Sequence, residues 1–347
     1  MANSPSVRRV KVILPPVIDD LNMKNKVSSV GVLLLLASFT VSAVAQKAAI
    51  SETNVRAEMY FLASDAMQGR GSAGPYERVA AEYIGSQFMQ FGLQPAGDAG
   101  FDGKPTFVQA VAFKRRNGQE GTTYNAIGKI VGTDATLGSQ VIVITSHLDH
   151  LGVRDTAPGD DKIFNGADDD ASGSIAVLEI ARTLAIGKRP KRTVYFVCFG
   201  SEEIGGFGAN FFVNNLPFPK EKLVANLEFE MIGRPDTAVK PDELWLTGYD
   251  RSNLGPELAK RGAKLVQDPH PDQNFFQRSD NYTLAKQGVI AHTVSSFGLH
   301  ADYHKVSDEI KTIDFAHMTK SIDSMVKPIL WLVNSNFVPT WNAGKKP

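Results

Sequence analysis

Residues 165–173 read NGADDDASG, three consecutive aspartates between a glycine turn and an apolar-periodic run. Ile175, Val177, Leu178, Ile180 and Ala181 recur at helical spacing, so Asp168, Asp169 and Asp170 stand at or just before a helix N-terminus. Helix capping accounts for one carboxylate in such a place, with a gain of roughly 0.5 to 2 kcal/mol. It does not account for three, because adjacent like charges repel unless a cation or solvent compensates them. The corner therefore reads as one part of a metal site.

Partners of suitable chemistry recur along the chain. His147 and Asp149 follow the apolar run 141–145, Glu202 and Glu203 follow the run 193–199, Glu230 lies in the run 223–232, and His304 lies in HADYHKVSDE. Imidazole nitrogens and carboxylate oxygens are the donors that zinc takes, and this set is large enough for two divalent ions. Glu228, in phase with Glu230 on the same strand face, is its competitor as a ligand. His150, His270, His292, His300 and His317 read as surface or structural histidines, with His300 in GLHADYH also a candidate for the pocket wall.

The elements that must position these groups alternate between strand and helix. Apolar, β-branched runs at 107–113, 124–132, 141–145, 193–199, 223–232, 243–247 and 288–295 read as strands. Helical spacing marks 51–62, 77–91, 174–186, 205–214, 253–261, 280–286 and 315–334. That alternation implies a mostly parallel sheet between two layers of helices, and ligands of such sheets bind beyond the strands' carboxyl ends. Every polar group named above lies there.

Composition narrows the classes. With 347 residues and 43% hydrophobic content, the chain buries a large core, and 37 basic against 37 acidic residues argues against nucleic acid as the main partner. Gly69, Gly71 and Gly74 resemble a phosphate loop only superficially, since no GK[ST] follows and helices flank them. Cys198 is the single cysteine, in a strand, so no disulfide framework exists.

Met23, Lys24 and Lys26 precede an apolar run over 30–44 that closes on Ala43-Val44-Ala45, the pattern of a secretory signal peptide with Met23 as the better initiator. The run is shorter than the roughly 20 residues of a membrane span, which favours cleavage near Ala45 over retention as an anchor. The expected organisation is a leader over 1–45, one catalytic domain over 46–337 and a tail over 338–347, with a secreted or periplasmic mature chain that has no membrane span.

HLD, GADDDASG, SEE before a glycine-rich helix start, EMIGR, and DYH with a nearby SD occur in this order, and together with LASDAMQGRG they resemble the M28 family of zinc aminopeptidases over nearly all of 51–336. The resemblance implies a three-layer α/β/α sandwich with a mixed, mostly parallel central sheet, and two Zn2+ ions. It implies Asp169 as the bridging ligand, His147 and Glu230 on one ion, Glu203 and His304 on the other, and Glu202 as general base. A cis peptide is implied at Asp169–Asp170. Asp149 is then suited to hold the His147 N–H and fix its tautomer, Tyr303 to stabilise the oxyanion, and Asp280 to hold the substrate ammonium. The expected substrates are peptides with a free N-terminus, their pocket walled by loops such as 268–278.

Two positions depart from the family pattern. Glu230 stands where many members have Asp, and Asn281 follows Ser279-Asp280 where a histidine is usual. The alternatives on the same fold are a glutaminyl cyclase with one zinc ion and a non-catalytic binding protein, for which broken ligands are the mark; none is broken here.

Overall fold

The computed structural model describes residues 50–347, and the leader expected over 1–45 lies outside them. Seven helices are used below: α1 Glu52–Leu62, α2 Pro75–Gln90, α3 Gly173–Ile186, α4 Phe207–Asn214, α5 Leu254–Lys260, α6 Asp280–Lys286 and α7 Phe315–Asn334. The strands are β1 Gln94–Pro95, β2 Val108–Lys114, β3 Glu120–Ile130, β4 Val141–His147, β5 Gly152–Val153, β6 Ile163–Phe164, β7 Thr193–Phe199, β8 Leu223–Phe229, β9 Leu244–Leu246, β10 Leu265–Gln267 and β11 Ala291–Ser295. Among the described residues, no helix is long and apolar enough to cross a membrane.

The period of two in the central strands makes the three layers. In β7, Val194, Phe196 and Cys198 join a core that also holds residues of α1, α2, α3, α5 and α7, while Tyr195, Val197 and Phe199 pack against Ala209 and Phe212 of α4 on the other face. Ile142 and Ile144 of β4 divide from Val141 and Val143 in the same way. Helices cover both faces, so both faces are apolar and the strands read as continuous hydrophobic runs. Each large side chain fully buried there contributes about 1.5 to 3 kcal/mol relative to exposure.

The strand order is β1-β3-β7-β4-β8-β11-β9-β10, with β2 also paired to β3. The four central strands β7, β4, β8 and β11 are mutually parallel. Towards the edges the pairing is antiparallel at β1/β3, β2/β3, β3/β7 and β9/β11. The sheet is thus mixed, with parallel pairing at its centre and again at the β9/β10 edge, while the polar turn after Lys114 closes β2 and β3 into a hairpin at the other.

Two strand ends differ from expectation for local reasons. β8 stops at Phe229 because Met231 takes a positive φ of 50°, and β11 starts only at Ala291, after Gly288 at φ 89°. The segment 338–347, expected as a tail, packs back on the domain: Trp341 lies against Phe276 and His292, and Lys345 pairs with Asp250 at 2.8 Å.

Candidate metal centre

Three parallel neighbours, β7, β4 and β8, end side by side, and their carboxyl ends carry Glu202 and Glu203, His147, and Glu230. Asp169 comes from the irregular turn Ala167–Ser172 just before α3, and His304 from a turn where it takes a φ of 55° itself. Ser201, before Glu202, and Met231, after Glu230, also have positive φ (58° and 50°). Non-glycine residues in this region are strained, and they gather where a site fixes them. The Asp169–Asp170 peptide is cis, as the resemblance implies.

Asp169 turns one oxygen to each side. His147 Nε2 lies 3.2 Å from its Oδ1, and His147, Asp169 and Glu230 offer ligand atoms within 4.8 Å of one another. On the other side, His304 Nε2 is 3.1 Å from Asp169 Oδ2 and 3.2 Å from Glu203 Oε2. His150 Nδ1 is 2.8 Å from Glu203 Oε1, and His150, Asp169 and Glu203 form a second such group. Close as they are, His147 Nε2, both nitrogens of His150 and Glu203 Oε1 are buried without an aligned hydrogen bond. Buried polar atoms are rarely left so. Nitrogen and oxygen atoms facing common points in this way fit zinc ions.

The charges favour the same conclusion. Burial pushes the carboxyl of Glu202 well above its ordinary range, and Asp280, Glu230 and Glu203 add to the push while His147 opposes it. Burial likewise raises Asp170 and Asp280, and lifts Glu230 to about 8 with help from Glu228 and Asp169. Carboxyls crowded this closely resist ionising together, and divalent cations relieve that resistance. Burial also works against the charge on Asp169, but His150, His147 and His304 outweigh it and hold that carboxyl well below the usual range.

The remaining aspartates of the corner are framework. Asp170 accepts hydrogen bonds from the amides of Gly173 (3.0 Å), Met231 (3.1 Å) and His147 (3.2 Å), tying α3, β8 and β4 together. Asp168 accepts from the Gly233 amide at 2.7 Å and pairs with His300 Nε2 at 2.9 Å. His300 therefore braces the corner instead of lining the pocket. Gly173 is needed for close approach, since a Cβ there would strike the Phe229 carbonyl, and Gly166 for its φ of 59°.

Glu228 Oε2 accepts from the Asn281 amide (2.7 Å) and the Thr293 hydroxyl (2.8 Å) while its buried Oε1 has no partner among the described residues, and it is Glu230, not this in-phase competitor, that groups with His147 and Asp169. Asp149 stands beside His147 as expected, its carboxylate 3.7 Å from Nδ1, with its backbone carbonyl nearer at 3.2 Å. The carboxylate accepts from Ser72 Oγ (2.5 Å) and the Glu202 amide (3.0 Å), and so positions the Glu202–Glu203 turn. With Nδ1 donating to the carbonyl, Nε2 is still the nitrogen that faces Asp169. Asp280 is buried near Glu228 and Glu230, with Oδ2 lacking a partner.

Sequence reading missed three groups. His150, expected as surface or structural, is fully buried and belongs to the centre; its only signal was its place three residues after His147. Arg70 is buried and donates to the carbonyls of Leu148 (2.9 Å), Leu62 (2.6 Å), Asn165 (2.7 Å) and Gly166 (2.8 Å), pinning the HLD loop to the acidic corner. Asp308 accepts from the amides of Asp168 (3.0 Å) and Asp169 (3.1 Å). The other histidines are structural, His292 on Ser252 and Thr247, His317 on Ser296, and His270 on Asp236.

A small recess of about 30 Å3 adjoins the centre, with Glu230, Trp245, Phe275, Phe297, Arg278 and Tyr303 in its wall. Phe275 and Arg278 come from the loop 268–278, as expected. Tyr303 stacks on His304 with ring centroids 3.9 Å apart, and Arg278 Nη2 donates to its hydroxyl at 3.4 Å.

Comparisons with known proteins agree with this geometry. The chain is 38% identical over 233 residues to leupeptin-inactivating enzyme 1 of Streptomyces exfoliatus, covering 63% of this chain and 50% of that protein. It is 28% identical over 176 residues to a probable leucine aminopeptidase 2 of Aspergillus oryzae, covering 48% and 32%. The chain thus spans half or less of the length of these relatives. In fold it is similar to the aminopeptidase from Aneurinibacillus sp. strain AM-1 (TM-score 0.63, 14% identity, 85% of this chain and 96% of that one). The zinc aminopeptidase BSAP from Bacillus subtilis gives a TM-score of 0.62 at 16% identity over 83% and 96%. The model of peptidase family M28 matches residues 125–327, more than half of the chain, and the chain belongs to that family.

Proposed function

We propose that this protein is a zinc-dependent aminopeptidase that hydrolyses the N-terminal peptide bond of peptides with a free amino group. The observation that carries the reading is the pair of ligand groups sharing Asp169, with Glu202 beside them. His147 and Glu230 would hold one zinc ion, Glu203 and His304 the other, with Asp169 between them. Bound zinc supplies Lewis-acid polarisation of the scissile carbonyl and acidifies the attacking water.

The chain's own residues do the rest. Glu202 takes a proton from the water and hands it to the leaving amine, and the surroundings that raise its proton affinity let it hold the proton between the two transfers. Tyr303 receives its hydrogen bond from Arg278 and so keeps its own O–H free to donate to the developing oxyanion. Asp280, whose Oδ2 lacks a partner among the described residues, is the acceptor for the substrate ammonium, and the aromatic recess takes the N-terminal side chain. A leader ending near Ala45 makes the enzyme secreted or periplasmic, and N-terminal sequencing of the exported protein should begin at Gln46.

Purified protein should bind two zinc ions and cleave aminoacyl nitroanilides, and Glu202→Gln should lower kcat by several orders of magnitude with zinc still bound. Full activity in that variant overturns the mechanism; cyclisation of N-terminal glutamine by an enzyme holding one zinc ion overturns the reaction.

A further inference from the structure

His150 is the one imidazole of the domain that is fully buried with neither ring nitrogen hydrogen-bonded among the described residues. Its placement is not loose. Its amide donates to the Arg70 carbonyl and its carbonyl accepts from the Ser72 amide, both at 3.2 Å, and the ring lies flat against Gly166, where an added Cβ would come within 2.5 Å of Cγ. The ring is thus held with Nδ1 towards the acidic pair, 2.8 Å from Glu203 Oε1 and 3.7 Å from Asp169 Oδ2. The His304 ring stands 5.7 Å away at 70°, so the two imidazoles converge on the same carboxylates from different directions.

We propose that His150 is a ligand, through Nδ1, of the ion held by Asp169, Glu203 and His304. The inference rests on the two-ion reading above and assigns that ion a fourth protein group. Four donors about 2.0 to 2.2 Å from a zinc ion in tetrahedral arrangement lie about 3.4 Å from one another. The separations from the two imidazole nitrogens to the carboxylates, 2.8 and 3.7 Å from His150 to Glu203 Oε1 and Asp169 Oδ2 and 3.1 and 3.2 Å from His304 to Asp169 Oδ2 and Glu203 Oε2, bracket that value. With four protein ligands this ion is closed and anchoring, which leaves the open position to the ion of His147, Asp169 and Glu230, beside Glu202. The two ions then have different roles, since one fixes the corner and the other meets the water.

Titration of the metal-free protein with zinc alone, followed by calorimetry, tests this. The wild type should show two sites, and His150→Gln should weaken the tighter of them by about 100-fold or more, beyond the 10- to 100-fold typical of a group that only orients a ligand. The weaker site should stay. His147→Ala should do the reverse, losing the weaker site and keeping the tighter. Thermal melting of the metal-free proteins checks that both variants fold, and zinc X-ray absorption on the one-zinc wild type should count two imidazoles. Two sites of unchanged affinity in folded His150→Gln, or a single imidazole in that spectrum, overturn the role of His150 while sparing the enzyme; a wild type that binds no zinc overturns both.

Discussion

Behind β11, His292 is completely buried and completely satisfied: Nδ1 donates to the Thr247 carbonyl and Nε2 accepts from the Ser252 hydroxyl, both at 2.7 Å. At the end of β4, His147 and His150 are buried as deeply, yet His147 Nε2 and both His150 nitrogens lack hydrogen bonds. Burial of an imidazole is costly in either place unless its nitrogens find partners. The first region finds them within the chain and needs nothing else. The second leaves them turned at carboxylates, the arrangement of donors that metal ions take.

The largest effect that separates the two regions is loss of the shared carboxylate. Asp169→Asn should remove both zinc ions from the protein and lower kcat/KM by on the order of 10^4-fold or more. Atomic absorption after dialysis and a nitroanilide assay measure both, and a variant retaining two ions breaks the contrast. Its fold should be intact, because Asp170, Asp168 and Asp308 make the framework bonds.

Next comes the backbone beneath the site, which, unlike the imidazoles, is satisfied internally. Arg70→Met should cost at least about 3 kcal/mol of stability, since four buried carbonyls lose a hydrogen bond at once and, among the described residues, only that of Gly166 keeps another, from the Ala171 amide. Urea unfolding of the metal-free protein gives the number, and a loss below about 1 kcal/mol means water replaces the guanidinium there.

The satisfied region should show itself through pH. Burial lowers His292 from 6.5 to about 4, with Arg251 adding and the Thr247 bond and Asp250 opposing. The unfolded chain therefore takes up this proton first on acidification. His292 imposes no penalty above pH 6.5, and stability falls as pH drops from about 6.5 to about 4, by about 3 kcal/mol in all. Replacing it by Gln should flatten the slope of unfolding free energy against pH over that window, and an unchanged slope refutes the assignment.

The central strands β7 and β4 were legible because burial on both faces leaves long apolar runs in them: 193–199 matches β7 at both ends, and 141–145 falls only two residues short of β4. The ligand set was legible because its members stand where those strands end. What escaped depends on direction instead of order. HLDH does not say that its second imidazole turns inward while the Asp149 carboxylate also reaches the Glu202 amide. Arg70 escaped because it serves backbone carbonyls from three separated stretches, and no residue pattern marks a carbonyl that tertiary packing has stranded. The turns at Ser201, Met231 and His304 escaped because none carries the glycine that advertises a positive φ.

The Arg70 clamp has a consequence for how the protein lives with scarce metal. A guanidinium keeps its charge at any physiological pH, and this one is bonded to main-chain oxygens instead of to the metal-facing carboxylates. Stripping zinc therefore leaves the loops that meet at the acidic corner tied in place. Emptying and refilling become a reversible exchange on a standing scaffold.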